Sequence, residues 1–166
     1  MEMEQEGAVT ARVLERVPEE QLTWRPHERS MSLGQLALHI ATTPGQIAKM
    51  VAGDAYNLDP AAFDVPQPAS RAEVLQAHSD GLATAKAYLQ GLSAEQAAAT
   101  WRLMVGPQEI MAVPRAACIR SIMLNHWYHH RGQLSVYLRL LNIPVPAIYG
   151  VSADENPFAK ANSQQA

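Results

Sequence analysis

A long segment from Pro114 to Leu141 constrains the fold more than any other part of the chain. A proline at the first turn of a helix costs no hydrogen bond, and Asn142 and Pro144 favour a helix end after Leu141. On a helix with about 100° per residue, its apolar side chains form one stripe. The stripe contains Ile119, Met123, Leu134, Tyr137 and Leu141. We therefore predict one helix over 114–141 that packs against a core along this stripe.

Two histidines lie in the middle of the apolar stripe. His126 and His130 are four residues apart, so they sit about 40° apart on the helix surface, one turn above the other. Two neutral imidazoles at this spacing can chelate one divalent ion. The alternative is ordinary core packing, although two imidazoles in an apolar stripe would both need polar partners. His129 falls on the shoulder of the stripe and is predicted to be a boundary residue rather than a ligand.

Composition predicts one globular domain over residues 1–166, with residues 146–166 as an extended C-terminal tail. The chain is 48% hydrophobic and 17% charged, and its net charge of −3 gives no basic face for nucleic acid. Arg120, Arg131 and Arg139 are expected on the solvent side of the last helix. The single cysteine, Cys118, excludes a disulfide and a cysteine-based zinc site. The lack of a long apolar run and the acidic start predict a soluble, cytoplasmic protein with no membrane partner.

Three more helices precede the long segment. They are predicted over Glu4 to Val17, over Leu33 to Gly53 with Ser32 as N-cap, and over Arg71 to Leu89 with Ser70 as N-cap and Gly91 as the stop. A proline-rich stretch over residues 54–68 connects the second and third helices. Alternation over residues 100–113 predicts a short hairpin or an extended crossover. The pattern predicts an all-α fold, a four-helix bundle with long crossover connections and, as one of the two alternatives for residues 100–113, a short hairpin before the last helix.

A catalytic zinc-type site uses three protein ligands and keeps one position open, so a third ligand must come from elsewhere in the chain. His39 lies about 80° from the apolar centre of its helix, on the shoulder of the buried face. His27 is in a loop beside Pro26 and is interpreted as a turn residue. His78 stands beside Ser79 and Asp80, which indicates a solvated face. The residues alone favour His39 only slightly over the other two.

Several stretches together resemble one known family, the DinB/YfiT-like metal-binding four-helix bundles. They are residues 14–19 with 22–26, residues 30–36 followed by His39-Ile40-Ala41, residues 126–134 with Leu138-Arg139, and residues 144–146, 148–150 and 152–155 in the tail. The similarity covers nearly the whole chain. It implies that His39 is the ligand from the second helix and that His126 and His130 are the pair from the last helix. It also implies a homodimer.

The resemblance also implies a chemistry. Three neutral imidazoles suit a divalent transition metal, with zinc or nickel as the leading choices. Similar family members include bacillithiol- and mycothiol-dependent transferases and isomerases. The resemblance therefore implies a metal-dependent thiol S-transferase of stress or detoxification, whose partners are a low-molecular-weight thiol and a small-molecule electrophile. We place Trp101 and Tyr149 as possible cavity walls, and Asp154 and Glu155 either as candidate general bases or as capped residues of a solvated tail.

Two alternatives remain at this point. In one, the protein is a metal-binding structural or interaction protein of the DNA-damage or stress response and has no catalytic turnover. In the other, the chain is an apolar bundle that binds no metal, and this alternative predicts that His39 lies far from His126.

Overall fold

The computed structural model describes residues 2–59 and 64–159 of the chain. Within these ranges, three long helices come first along the chain, a continuous helical segment comes last, and a small sheet has strands on both sides of the third helix in the chain. The first three helices are α1 (Glu2–Leu14), α2 (Leu33–Met50) and α3 (Arg71–Gly91). A short helix, α4 (Ala94–Ala98), leads into the sheet, and the last segment comprises α5 (Arg115–Cys118), a π-helix (Ile119–Asn125) and α6 (His126–Leu140). The predicted mostly helical fold, with a hairpin before the last helix, is confirmed.

The helix starts follow from the predicted capping residues. The Ser32 hydroxyl accepts a hydrogen bond from the Gln35 amide at 3.1 Å, and the Gln35 side chain accepts one from the Ser32 amide at 3.0 Å. This reciprocal pair is a capping box, and it fixes the first turn of α2. Ser70 caps α3 through the Glu73 amide at 3.1 Å. Both helix starts therefore lie where the sequence predicted them.

A three-stranded sheet combines one strand between α2 and α3 with two strands between α4 and the last helical segment. Its strands are β1 (Ala55–Asn57), β2 (Thr100–Val105) and β3 (Gln108–Pro114), in the order β1-β2-β3. The predicted hairpin forms β2 and β3, which pair antiparallel, with Gly106 at φ 55° in the turn. β1 pairs parallel to β2 and was not predicted, because its three residues lie in the stretch interpreted as a loop. Residues 60–63 of that stretch, and 160–166 of the predicted tail, lie outside the described residues.

Helices α2 and α3 pack at very short range where two glycines face each other. A Cβ atom added to Gly45 would lie 2.8 Å from the Cα atom of Gly81, and one added to Gly81 would lie 2.8 Å from the carbonyl oxygen of Ala41. Real Cβ contacts are never so short, so this crossing requires glycine on both helices. The close crossing fixes the position of α2, which carries His39.

The last helical segment is not a uniform α-helix. The predicted helix over 114–141 agrees with the observed helical run over 115–140 to within one residue at each end, but residues 119–125 form a π-helix, in which the hydrogen bonds reach one residue further back. The His126 amide is accordingly shared between the carbonyls of Ser121 and Met123. π segments occur frequently at functional sites, and this one ends directly before His126. Asn142 ends the segment with φ 58°, as a left-handed C-terminal residue.

The core contains the apolar faces of the helices together with Trp101 and Trp127, both fully buried. Cys118 is also buried. The prediction for Arg131 was wrong, because this side chain is only 1% exposed and not on the solvent side. It faces α1, which covers the side of α6 that a single-helix projection assigned to water. None of the described helices is both long enough and apolar enough to cross a membrane.

Candidate metal centre

Three histidines from two helices converge on one point. His39 of α2 meets His126 and His130 of α6, and one ring nitrogen of each lies within 4.8 Å of the others. The ring centroids are 5.2 Å apart for His39 and His126, 4.7 Å for His39 and His130, and 4.5 Å for His126 and His130. All three side chains are half-buried. The cluster therefore lies at the edge of the core, where an ion can reach it from outside.

The elements explain this convergence. His126 is the first residue of α6 and His130 lies one turn further, so both rings project from the same face. That face packs against α2. On α2, the His39 carbonyl accepts a hydrogen bond from the Thr43 hydroxyl at 2.6 Å. Pro44, which follows Thr43 inside the helix, lacks the amide hydrogen that would bond the Ile40 carbonyl in a regular α-helix.

The two histidines of α6 approach each other through the same ring atom. The Nε2 atoms of His126 and His130 are 2.8 Å apart, and Nδ1 of His130 lies 2.9 Å from the Gln133 side-chain oxygen. An amide oxygen only accepts, so Nδ1 of His130 donates and its Nε2 carries a lone pair. Nε2 of His126 must then bring either a proton or a second lone pair to this contact. Two lone pairs at this distance repel each other unless a cation lies between them.

The surroundings of Nδ1, the other ring nitrogen of His126, favour the tautomer that can bind a cation. Nδ1 of His126 is buried and has no partner with ordinary hydrogen-bond geometry. The Ile122 carbonyl is nevertheless near enough to partly offset the lowering of the His126 pKa. A proton on Nδ1 therefore has a nearby acceptor, and this tautomer leaves Nε2 free to bind a metal.

Burial keeps the cluster neutral at physiological pH. Burial, with smaller contributions from His130 and His126, lowers the pKa of His39 from 6.5 to about 4. Burial is also the main cause that lowers the pKa values of His126 and His130. A neutral imidazole is the form that binds metals, so protons do not compete for these nitrogens near pH 7.

The cluster fits a metal ion bound by three imidazoles. An ion about 2.0–2.1 Å from each nitrogen holds tetrahedral ligand atoms about 3.3 Å apart. The 2.8 Å separation of the two Nε2 atoms and the 4.8 Å limit of the whole cluster bracket this value, so small side-chain rotations suffice. Among the described residues, no further histidine, cysteine or carboxylate joins the group. This arrangement matches an open site rather than a closed structural one.

The other histidines have separate roles. His27 is exposed, and its Nδ1 accepts a hydrogen bond from the Arg29 amide at 3.2 Å, as expected of a turn residue. The prediction of a solvated His78 was wrong, because its ring is buried and Nε2 lies 3.0 Å from the Gly7 carbonyl oxygen. His129 is exposed, with its ring centroid 4.9 Å from that of His130. It lies at the boundary of the cluster and outside the ligand set.

The tail residues considered for catalysis have structural partners. Asp154 accepts hydrogen bonds from Arg139 and from the Val145 amide, and Glu155 accepts from Arg12 and the Ala147 amide. These contacts fasten the tail to α1 and α6, which agrees with the alternative of capped tail residues. Neither residue joins the histidine cluster.

The two aromatic residues proposed as cavity walls are also engaged elsewhere. Trp101 is fully buried in the core. Tyr149 packs on Tyr128 and Arg131, and the side of α6 that carries these two residues differs from the side that carries the histidines. A cavity of about 440 Å³ lies near Arg115, Tyr88 and Gln96, and none of the three histidines lines it.

Gln133 and Tyr137 are residues near the cluster that the sequence analysis did not select for function. Gln133 follows His130 by three residues and therefore shares its helix face. Its amide nitrogen lies 3.4 Å from the Tyr137 hydroxyl. A polar residue at this spacing after a candidate ligand is the signal that would have found it.

Comparisons with known proteins show a family and a shared fold. A sequence model of the DinB family matches residues 1–160. The protein YrdA of Bacillus subtilis (strain 168) is 24% identical over 153 residues, which cover 90% of this chain and 85% of YrdA. Among solved structures, a DinB-like protein from Bacillus cereus ATCC 10987 has a TM-score of 0.69 at 21% identity, covering 88% of this chain and 92% of its own. The DinB-like protein YjoA from Bacillus subtilis has a TM-score of 0.66 at 22% identity, and the match covers 88% of this chain and 94% of the YjoA chain. The two structures establish a shared fold.

Proposed function

The chain belongs to the DinB family, and from this premise we propose that His39, His126 and His130 hold one divalent transition metal in an open site. Zinc and nickel are the leading candidates, because imidazole nitrogen suits both ions. We propose further that the protein is a metal-dependent enzyme, a thiol S-transferase of stress or detoxification. The single observation that supports the proposal is the convergence of the three rings from α2 and α6.

The residues of the chain have defined tasks in this proposal. Three neutral rings supply the donor atoms and add no negative charge, so a bound ion keeps its full positive charge. Such an ion, when bound, acts as a Lewis acid that favours the ionised forms of water and of thiols. The half-buried position excludes part of the solvent and still leaves the outer side of the cluster accessible. The partners are then a low-molecular-weight thiol and a small electrophile, with no role for nucleic acid or a membrane.

A second candidate function is a metal-binding structural or interaction protein of the stress response, without turnover. One observation favours it: the ligands come from two different helices, so a bound ion cross-links α2 to α6 and stabilises the fold. In either case we propose a homodimer. Val136 and Leu140 support this assembly, because both are 57% exposed on the outer face of α6.

A thiol panel tests the enzymatic proposal. Zinc-loaded and nickel-loaded protein is mixed with glutathione, bacillithiol, mycothiol or cysteine and a chromogenic electrophile such as 1-chloro-2,4-dinitrobenzene. We expect one thiol to be consumed faster with wild type and with the His27→Ala control than with the His39→Ala variant. Equal rates for wild type and His39→Ala with every thiol would reject the transferase and leave the structural candidate.

A further inference from the structure

A series of polar contacts connects His130 to the backbone just before α2. Nδ1 of His130 lies 2.9 Å from the Gln133 side-chain oxygen, and the Gln133 amide nitrogen lies 3.4 Å from the Tyr137 hydroxyl. The Tyr137 hydroxyl in turn lies 3.4 Å from the Met31 carbonyl oxygen. The last two contacts are long for hydrogen bonds, but together they connect a candidate ligand to the backbone of another element.

The Met31 carbonyl determines which group donates in each hydrogen bond of this series. A carbonyl oxygen can only accept, so the Tyr137 hydroxyl donates to it and keeps its own lone pairs for the Gln133 amide. The Gln133 amide nitrogen then points at Tyr137, and its oxygen points at His130. The oxygen fixes the proton on Nδ1 of His130, and Nε2 is left with its lone pair toward His126 and His39.

We propose that Gln133 is a positioning residue that holds His130 in its metal-binding tautomer, and that Tyr137 orients Gln133 for this task. The role rests on the proposed function, because it matters only if Nε2 of His130 binds a metal. Groups that bond the second nitrogen of a ligating histidine commonly change metal affinity about 10- to 100-fold when they are removed.

The packing around Tyr137 makes this series of polar contacts rigid. Tyr137 is 4% exposed, and its ring meets the Trp24 ring edge-on at 5.8 Å between centroids. The Trp24 carbonyl accepts a hydrogen bond from the Leu33 amide at 2.8 Å, at the start of α2. The series of polar contacts therefore links the orientation of the His130 ring to α2, the helix that carries His39.

Two variants of Gln133 and one control test the effect of this residue on metal affinity, measured for zinc by competition with a chromogenic chelator. Gln133→Met removes the acceptor at similar volume, and we expect affinity to fall about 10- to 100-fold. Gln133→Glu keeps an acceptor, and we expect affinity at or above that of wild type. Gln76→Met makes the same change at an exposed position of α3, and we expect no effect.

The role of Tyr137 is tested by rescue. Tyr137→Phe removes the group that orients the Gln133 amide, so the amide can rotate and present its nitrogen to His130. We expect a smaller loss of affinity than in Gln133→Met. A carboxylate has no donor end and needs no orienting partner, so the Gln133→Glu/Tyr137→Phe double variant should recover the affinity. A double variant that stays as weak as Tyr137→Phe would overturn the orienting role.

A spectroscopic measurement on metal-free protein separates this proposal from the metal site itself. Long-range ¹H–¹⁵N correlation spectra report which nitrogen of His130 carries the proton. We expect the proton on Nδ1 in wild type and a shift toward Nε2 in Gln133→Met. An unchanged tautomer together with unchanged zinc affinity would overturn the positioning role. A wild type that binds neither zinc nor nickel, but shows the expected tautomers, would instead overturn the metal site.

Discussion

Arg131 is the neighbour of His130 in the chain and joins three elements. Its guanidinium contacts the Glu6 carboxylate at 2.7 Å, the Glu6 carbonyl at 3.2 Å and the Thr10 hydroxyl at 3.1 Å. It also donates to the Tyr149 hydroxyl and lies 5.2 Å from the centre of the Tyr128 ring. One buried cation thus connects α1, α6 and the tail on the side of α6 away from the histidines.

Arg131→Met is expected to destabilise the protein strongly. The substitution keeps much of the side-chain volume but leaves the Glu6 carboxylate, 15% exposed, without its buried partner. Breaking such a pair costs about 3 kcal/mol or more of unfolding free energy. Arg120→Met removes an exposed, solvent-screened pair with Glu2 and should cost much less than Arg131→Met. Urea denaturation followed by circular dichroism measures both, and equal losses would contradict the assignment.

The histidine cluster gives the metal-free protein a defined pH dependence. The pKa of His39 is about 4 in the folded state and 6.5 as its ordinary value, so the unfolded chain binds more protons between these values. The free energy of unfolding of the metal-free protein therefore decreases as pH falls from about 6.5 toward 4. Glu2 and Asp154, whose pKa values are lowered by Arg120 and Arg139, contribute only at lower pH.

Urea denaturation at pH 7.5 and pH 5.5 checks this dependence. The His39→Gln variant should lose less stability between the two pH values than wild type. It should not become independent of pH, because burial also lowers the pKa values of His126, His130 and His78. An identical loss in wild type and His39→Gln would show that His39 is not a buried neutral group.

At the scale of elements, the crossing of α2 and α3 fixes where His39 lies. Gly81→Ala places a Cβ atom against the Ala41 carbonyl, and backbone atoms cannot move aside without separating the helices. We expect a loss of about 1–3 kcal/mol in unfolding free energy. Gly132→Ala is the matched control, because nothing lies within 4 Å of its added Cβ atom and alanine favours a helix by about 0.5–1 kcal/mol. Thermal denaturation should shift in opposite directions for the two variants, and a shift in the same direction would contradict this packing.

Elements with local signals were predictable from the sequence, and those set by contacts were not. The caps Ser32 and Ser70 and the pair His126 and His130 depend on spacing within one helix, which the sequence displays directly. The π-helix changes the hydrogen-bond pattern without a change in composition. β1 has only three residues and exists through its pairing with β2.

Tertiary contacts also explain the wrong predictions for single residues. A helical projection of α6 shows one apolar stripe, but a bundle helix touches more than one neighbour, and α1 covers Arg131. His78 is buried because α1 approaches α3 closely at Gly7, where an added Cβ atom would lie 2.6 Å from Leu82. His39 could be chosen over His27 and His78 as the third ligand only through the family resemblance, because the two histidines that it meets lie on another helix.

At the scale of the whole molecule, one fold serves two separate purposes on opposite sides of α6. One side carries the histidine cluster and its connection through Gln133 to the start of α2. The other side carries Arg131 and the contacts of the tail, including the pair between Arg12 and Glu155 at 2.5 Å. The first arrangement carries the proposed function, whereas the second holds the tail to α1 and α6.

The central claim is that side chains from two helices hold one metal ion, and metal stoichiometry tests it most directly. Metal-free protein is loaded with zinc or nickel and desalted, and its metal content per chain is measured by elemental mass spectrometry. The account predicts one ion per chain for wild type and for the exposed control His27→Ala. It predicts almost none for His39→Ala and His126→Ala, with helix content unchanged. Wild-type stoichiometry in both of these variants would contradict it.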